Sequence, residues 1–391
     1  MTKKLPIFSI LTLSALLFLL LVSHAHVIAS TEISSNGESE ITQPMKARTG
    51  HHEKKSASAN NQFERFEFNG IEMAVPIRIV LYAPDRQTAE TAAGEALARF
   101  HDLNGCLSDY DPNSEIRKFC DNALPGEFIR VSDDLWNVLR RAVQHAKMSG
   151  GAFDPTVGQV VRLWRHARKS HRLPPEQRLR ETLRTVGWEN ILFDESAQAI
   201  ALSENGAKNH VRLDLGGIAK GYAIDEALRT MRLLGVTSAL IDAGGDIGLG
   251  DPPPGKKGWT IAVTSLKKGE NPTDFWILSN CGIANSGDMF QFVEIDGKRY
   301  SHIVDPKTGL GLTNRLTVSV IAANAADADA LASAVSVLGP EQGMKLIESL
   351  PNTEVQILQI SPDGQIIKYG KNADVSIPES DENKTVKGNQ D

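Results

Sequence analysis

Apolar and polar positions along the chain switch between a period near two and a period near 3.6, and the switches outline its elements. Phe63, Phe66 and Phe68 lead into a β-branched run at 77–82 that predicts a strand. Residues 86–103 then place Ala89, Ala93, Ala96, Leu97 and Phe100 on one helical face, with Asn104-Gly105 as the expected stop. Residues 108–114 are turn formers. Ser132 is placed to cap a helix in which Leu135, Val138, Leu139, Ala142, Val143 and Ala146 recur at helical spacing. Asp133 and Asp134 complement that helix's dipole, and Gly150-Gly151 ends it. A tight Ala-Phe-Asp-Pro-Thr element at 152–156 follows, then a helix from Gly158 through Trp164.

The second half alternates shorter elements. Strands are expected at 211–213, 239–241, 259–264, 275–278 and 316–322, and a strand pair at 355–367. Helices are expected over 219–234, around Asp327, Asp329 and Ser333, and over 341–350. A hairpin over 292–302 turns at Asp296-Gly297, residues that tolerate positive φ.

The ends have another pattern. Lys3 and Lys4 precede an apolar run at 5–22 and small residues up to Ala29, the layout of a secretory signal peptide over 1–29. An uncleaved amino-terminal anchor, and so a membrane tether, is the alternative reading because the run is long. The expected location is exported, either periplasmic or on the outer face of the inner membrane. No Cys follows the run, which argues against a lipid anchor. Residues 30–62 read as a polar, disordered linker in which His51 and His52 lack further ligands, 63–371 as the folded domain, and 372–391 as a polar tail.

Composition narrows the function classes. A chain of 391 residues that is 41% hydrophobic can bury a core. A net charge of -6, with basic residues gathered only over 162–184, argues against a nucleic-acid partner. Cys106, Cys120 and Cys281 match no zinc spacing and make no disulfide framework; Cys106 and Cys120 either pair or stay thiols.

Candidate chemistry gathers at glycine turns. The stretch 212–225, R-L-D-L-G-G-I-A-K-G-Y-A-I-D, sets Asp214 and Lys220 about a Gly-Gly turn that opens a helix, a geometry suited to anions. Asp242 and Asp246 flank a second such turn, and Asp305 precedes a third. Asp329 and Ser333, four apart on a helix, share a face and offer oxygen ligands to a hard cation such as magnesium. His302, in a loop near carboxylates, is a candidate general base. Nucleophile-elbow, Walker and dinucleotide-fingerprint motifs are absent from the sequence.

In order, the Tyr110 turn, G-A-F-D-P-T at 151–156, L-D-L-G-G-I-A-K-G-Y at 213–222, D-A-G-G-D-I at 242–247, S-H-I-V-D-P-K-T-G at 301–309 and A-D-A-L-A-S at 328–333 resemble the FAD:protein FMN transferases of the ApbE family. The resemblance implies a two-lobed, T-fold-like α+β architecture, with mixed, largely antiparallel sheets packed by helices and FAD between the lobes. It implies FAD contacts at Met73, Tyr110, Ala152, Phe153, Asp154, Asp214, Lys220 and Val304, and magnesium ligands at Asp329, Ser333 and the carbonyls of Gly217 and Ala332. FMN would pass from FAD to a Ser or Thr hydroxyl of an exported acceptor protein carrying a Ser/Thr-Gly-Ala-Thr type motif, releasing AMP. His302 would be the base and Asp305 would orient it or its loop. Three places depart from the family pattern: Met-Gly-Thr reads Met73-Ala74-Val75, Ala-Thr-Ser-Gly reads Ala284-Asn285-Ser286-Gly287, and the metal-binding threonine reads Ser333. These departures motivate two alternatives, an FAD pyrophosphatase giving FMN and AMP, and an FAD-binding protein with impaired catalysis.

Overall fold

One antiparallel sheet organises the chain. The computed structural model describes residues 63–262, 275–287, 291–361 and 363–370; the expected signal peptide, linker and tail lie outside these residues. β1 (Glu64–Glu72) and β2 (Val75–Ala83) form a hairpin, followed by α1 (Arg86–Leu107), α2 (Glu115–Asn122), β3 (Ile129–Arg130) and α3 (Asp133–Met148). Next come α4 (Gly158–Ser170), α5 (Glu176–Leu183), β4 (Ile191–Asp194), β5 (Ala199–Leu202), α6 (Glu204–Lys208) and α7 (Ala219–Leu233). The remainder is β6 (Ala239–Ala243), β7 (Asp246–Leu249), β8 (Trp259–Ala262), β9 (Phe275–Leu278), β10 (Cys281–Gly287), β11 (Phe292–Ile295), β12 (Lys298–Ser301), β13 (Leu316–Ala322), α8 (Ala325–Glu348), β14 (Glu354–Ile360) and β15 (Ile366–Tyr369).

The main sheet has eight strands in the order β1-β2-β6-β7-β10-β13-β14-β15, with every neighbouring pair antiparallel. Helices α1, α7 and α8 cover one face. Ile77, Ile79 and Leu81 of β2 meet Ala89, Ala93 and Ala96 of α1 and Ala223 and Ala227 of α7, all buried. The opposite face buries Val80, Leu240, Ile247 and Leu249 against Trp259 and Trp276 of the β8–β9 hairpin. Burial on both faces explains why β6, β7 and β13 are apolar without strict alternation. The architecture is α+β, as the resemblance implied.

Tertiary packing changed several local expectations. β1 is a full strand rather than a lead-in, joined to β2 by the two-residue turn Met73-Ala74, both at positive φ. Helix α1 runs through Asn104-Gly105 to Leu107, because Leu103 and Leu107 are buried and offset the helical cost of glycine. Helix α2, capped by the Ser114 hydroxyl, follows the turn segment. The strand expected at 211–213 is only a single bridge of Arg212 to Val157; Asp214 N–H donates to Pro155 O and Leu213 N–H to Cys120 Sγ instead of a ladder. α4 extends to Ser170, and β8 is described as far as Ala262. The two helices expected after β13 both form, one on each side of a kink within α8 at Gly339 (φ 75°) before Pro340. All three cysteines are free, with Cys106 Sγ 3.1 Å from Glu115.

Candidate functional site

The amino-terminal ends of α7 and α8 meet because glycine lets them. A Cβ on Gly221 would lie 2.2 Å from the Ala325 carbonyl oxygen, so any other residue would push the two helices apart. A Cβ on Gly217 would lie 2.9 Å from Ser333 Oγ and 3.2 Å from the Phe153 ring. Gly217, Phe153 and Ser333 therefore converge on one point from three elements. The α8 amino terminus is fixed from outside by Asp225 of α7, whose carboxylate oxygens accept from Ala325 N–H at 2.8 Å and Ala326 N–H at 2.9 Å. Asn324 caps the same turn, accepting from Asp327 N–H at 2.9 Å. Buried His145 of α3 places Nε2 2.9 Å from Asp327 Oδ1 and packs edge-on against Phe153.

On this frame, one cation faces two buried acids. Lys220 Nζ pairs with Asp246 at the start of β7 and donates to Asp329 Oδ2 at 3.3 Å, while Gly221 N–H donates to the same oxygen at 3.3 Å. Burial alone would lower the Lys220 pKa; Asp246 and Asp329 reverse that and hold the ammonium charged. Asp329 is pushed up to about 6 by burial, with Lys220 pulling down and Asp246 pushing up. Two carboxylates against one ammonium leave a net negative charge in a buried place, and Ser333 Oγ and the Gly217 backbone stand beside it. The donor set is oxygen throughout, which suits a hard divalent cation. No group of three or more His, Cys, Asp or Glu side chains forms a metal cluster among the described residues, so a cation here would rest partly on hydroxyl and carbonyl oxygens. Ala332, expected to add a carbonyl, is buried in the α8 core and its carbonyl already accepts from Ser336 Oγ at 2.8 Å.

His302 stands in the loop after β12, half-buried. Its backbone N–H donates to Gln291 O at 3.0 Å, and its Nδ1 lies 3.3 Å from the same carbonyl. A carbonyl oxygen only accepts, so Nδ1 carries the proton and Nε2 keeps its lone pair. Burial, with Arg168 and Lys220 nearby, pushes its pKa down to about 4, so the ring is neutral at physiological pH. Asp305 serves the loop rather than the imidazole: its Oδ1 accepts from Lys307 N–H at 2.8 Å and its carbonyl from Gly309 N–H at 2.8 Å. Val304 packs among Val160, Trp164 and Tyr300, and its backbone bridges to Gly311.

The other expected contacts surround this pair of centres. Asp154 Oδ1 accepts from Thr156 N–H at 2.8 Å and from the Thr156 hydroxyl, and Oδ2 from Trp188 N–H at 3.1 Å, so it shapes the loop that presents Ala152 and Phe153. A cavity of about 380 Å³ opens beside that loop, lined by Gly150, Gly151, Asp154, Trp188, Pro306 and Lys307. Asp214 accepts from Gly216 N–H at 2.8 Å and from Arg165 at 3.4 Å; burial, then neighbouring Asp109, raises its pKa, and Arg165 lowers it. Tyr110 projects from its turn over the Arg165 guanidinium. Met73 sits at the β1–β2 turn, partly buried against the main core.

Sequence reasoning did not assign Asp246, Asn285, Arg165 or His145 to the site. Asn285, one of the departures from the family pattern, donates its N–H to Asp246 Oδ1 at 3.2 Å and its side-chain amide to Gly245 O at 3.0 Å, and accepts from Ser319 Oγ at 2.6 Å. It holds the carboxylate that holds Lys220. The D-A-G-G-D turn carried a visible signal for Asp246, whereas Arg165 and His145 lay in helices that read as solvated or apolar.

Comparison with known proteins gives the family. The ApbE family model matches residues 73–357. The FAD:protein FMN transferase of Haemophilus influenzae is 31% identical over 286 residues, covering 72% of this chain and 82% of that protein. The crystal structure of the ApbE protein from Thermotoga maritima superposes with a TM-score of 0.67 at 30% identity, over 78% of this chain and 97% of that one. The flavin transferase ApbE from Vibrio cholerae superposes with a TM-score of 0.70 at 26% identity, over 80% and 98%. With the family's motifs brought together at one place in a shared fold, this chain belongs to the ApbE family.

Proposed function

We propose that this protein transfers FMN from FAD to a Ser or Thr hydroxyl of an acceptor protein outside the cytoplasm. The observation that carries this reading is the junction of Lys220 and Asp246 with Asp329, on the helix that also carries Ser333, with Gly217 beside Ser333. Magnesium, held by Asp329, Ser333 Oγ and the Gly217 carbonyl, would neutralise diphosphate charge when bound. Lys220 adds a fixed positive charge on the same side, with Asp246 and Asn285 keeping it in place. Neutral His302 accepts the acceptor's hydroxyl proton at Nε2. The freed oxygen bonds to the phosphorus on the FMN side of FAD, the bond from that phosphorus to the bridging oxygen breaks, and AMP leaves with the electron pair. Tyr110, Phe153 and Asp214 would orient FAD so that only that phosphorus is presented.

The amino-terminal segment, read as a signal peptide or tether, supports exported acceptors. Purified protein incubated with FAD, magnesium and a Ser/Thr-Gly-Ala-Thr peptide is expected to yield AMP and fluorescent peptide in equal amounts, and His302→Ala to abolish both. AMP released at the same rate without peptide would favour the pyrophosphatase reading, and tight FAD retention without turnover would favour a binding protein.

A further inference from the structure

Arg165 on α4 touches two residues that come from distant parts of the chain and that belong to the FAD approach. Its guanidinium carbon lies 4.1 Å from the centroid of the Tyr110 ring. One terminal nitrogen donates to the Asp109 carboxylate, and the other to Asp214 Oδ2 at 3.4 Å. The turn carrying Tyr110 is pinned independently: Arg117 donates to Asp109 O at 2.9 Å, and Ser108 Oγ accepts from Tyr110 N–H at 3.3 Å and Asp111 N–H at 3.2 Å. Despite this anchoring Tyr110 stands 72% exposed. One face of the ring is covered by a guanidinium and the rest looks outward, beside the Asp214 carboxylate that the same guanidinium reaches.

We propose that Arg165 is a positioning residue that sets the Tyr110 ring and the Asp214 carboxylate in register to receive a planar ring of FAD, so that it governs FAD affinity rather than turnover. This rests on the FAD reading above. The planar guanidinium does two things that a lysine ammonium does not do together: it covers an aromatic face and forks to two carboxylates. By offsetting part of the charge of Asp109 and Asp214 it also lessens a repulsion that an incoming diphosphate would meet.

The test uses the full purified protein and FAD without acceptor, with binding read from flavin fluorescence. Arg165→Lys retains the charge that Asp109 and Asp214 require and loses the flat face, so the fold is kept. Its Kd for FAD is expected to rise about tenfold; in a separate transfer assay with acceptor peptide, KM for FAD should rise in step while kcat stays within about twofold. In a Tyr110→Ala background the same substitution should weaken binding by much less, because the ring it positions is gone. Competition by FMN and by AMP tells which ring is received: the competitor whose affinity drops in Arg165→Lys carries it. Wild-type binding that is unchanged in Arg165→Lys, or effects of Arg165→Lys and Tyr110→Ala that simply add, would overturn the inference while leaving the FAD reading intact. Failure of the wild-type protein to bind FAD would overturn both.

Discussion

Lys220 donates to Asp329 Oδ2 at 3.3 Å while paired to Asp246, so one ammonium joins the start of α7 to both β7 and α8. Removing it leaves two buried carboxylates facing each other. Lys220→Met is expected to lower unfolding stability by about 3 kcal/mol in urea titrations. Magnesium should restore more of that loss than it adds to the wild-type protein, because a cation replaces the missing charge. An unchanged midpoint would show that the pair contributes nothing to the fold.

His302 has a folded pKa pushed down to about 4 from an ordinary 6.5. The unfolded chain therefore takes up a proton through that window while the folded chain does not. Stability tied to this residue is present above pH 6.5 and lost as pH falls towards 4. His302→Ala should flatten that part of the stability profile. The acid limb of kcat/KM for transfer should likewise lie near pH 4, and a limb centred at the ordinary histidine value would contradict the assigned environment.

The turn between β1 and β2 requires positive φ at two residues, and the chain supplies Met73 (φ 50°) and Ala74 (φ 61°). Alanine pays for its Cβ in the left-handed region. Ala74→Gly should stabilise the protein by about 1 kcal/mol and raise the melting temperature by about 3 °C. A lower melting temperature would mean that the unfolded-state entropy of glycine outweighs the relieved strain.

Asp225 supplies two acceptors to the first turn of α8 from a different helix. Asp225→Ala should cost about 2 kcal/mol and loosen the turn that leads to Asp329. Magnesium affinity, measured by calorimetry, is expected to fall with it. Retained affinity at reduced stability would separate the cap from the cation site.

Many elements were legible because each carries a local cause. Ser132 accepts from Leu135 N–H at 3.2 Å as its position predicts, and the Asp296-Gly297 hairpin forms with both residues at positive φ. Asp329 and Ser333 share a helix, as their spacing required. What failed depended on distant partners. Nothing within 86–107 says that Leu107 will be buried, so the helix was ended at Asn104-Gly105; nothing near 211–213 says that Pro155 and Cys120 will take its N–H groups.

The order of motifs, their residue types and the helical spacing of Asp329 and Ser333 were determined by the sequence alone, because they depend on neighbours a few positions apart. Only the tertiary structure decided that Lys220 answers Asp246 and Asp329, that Asp305 serves its own turn, and that Arg165 lies beneath Tyr110. Charges and rings act through space over a few ångströms, and the chain brings these partners together from positions up to 109 residues apart.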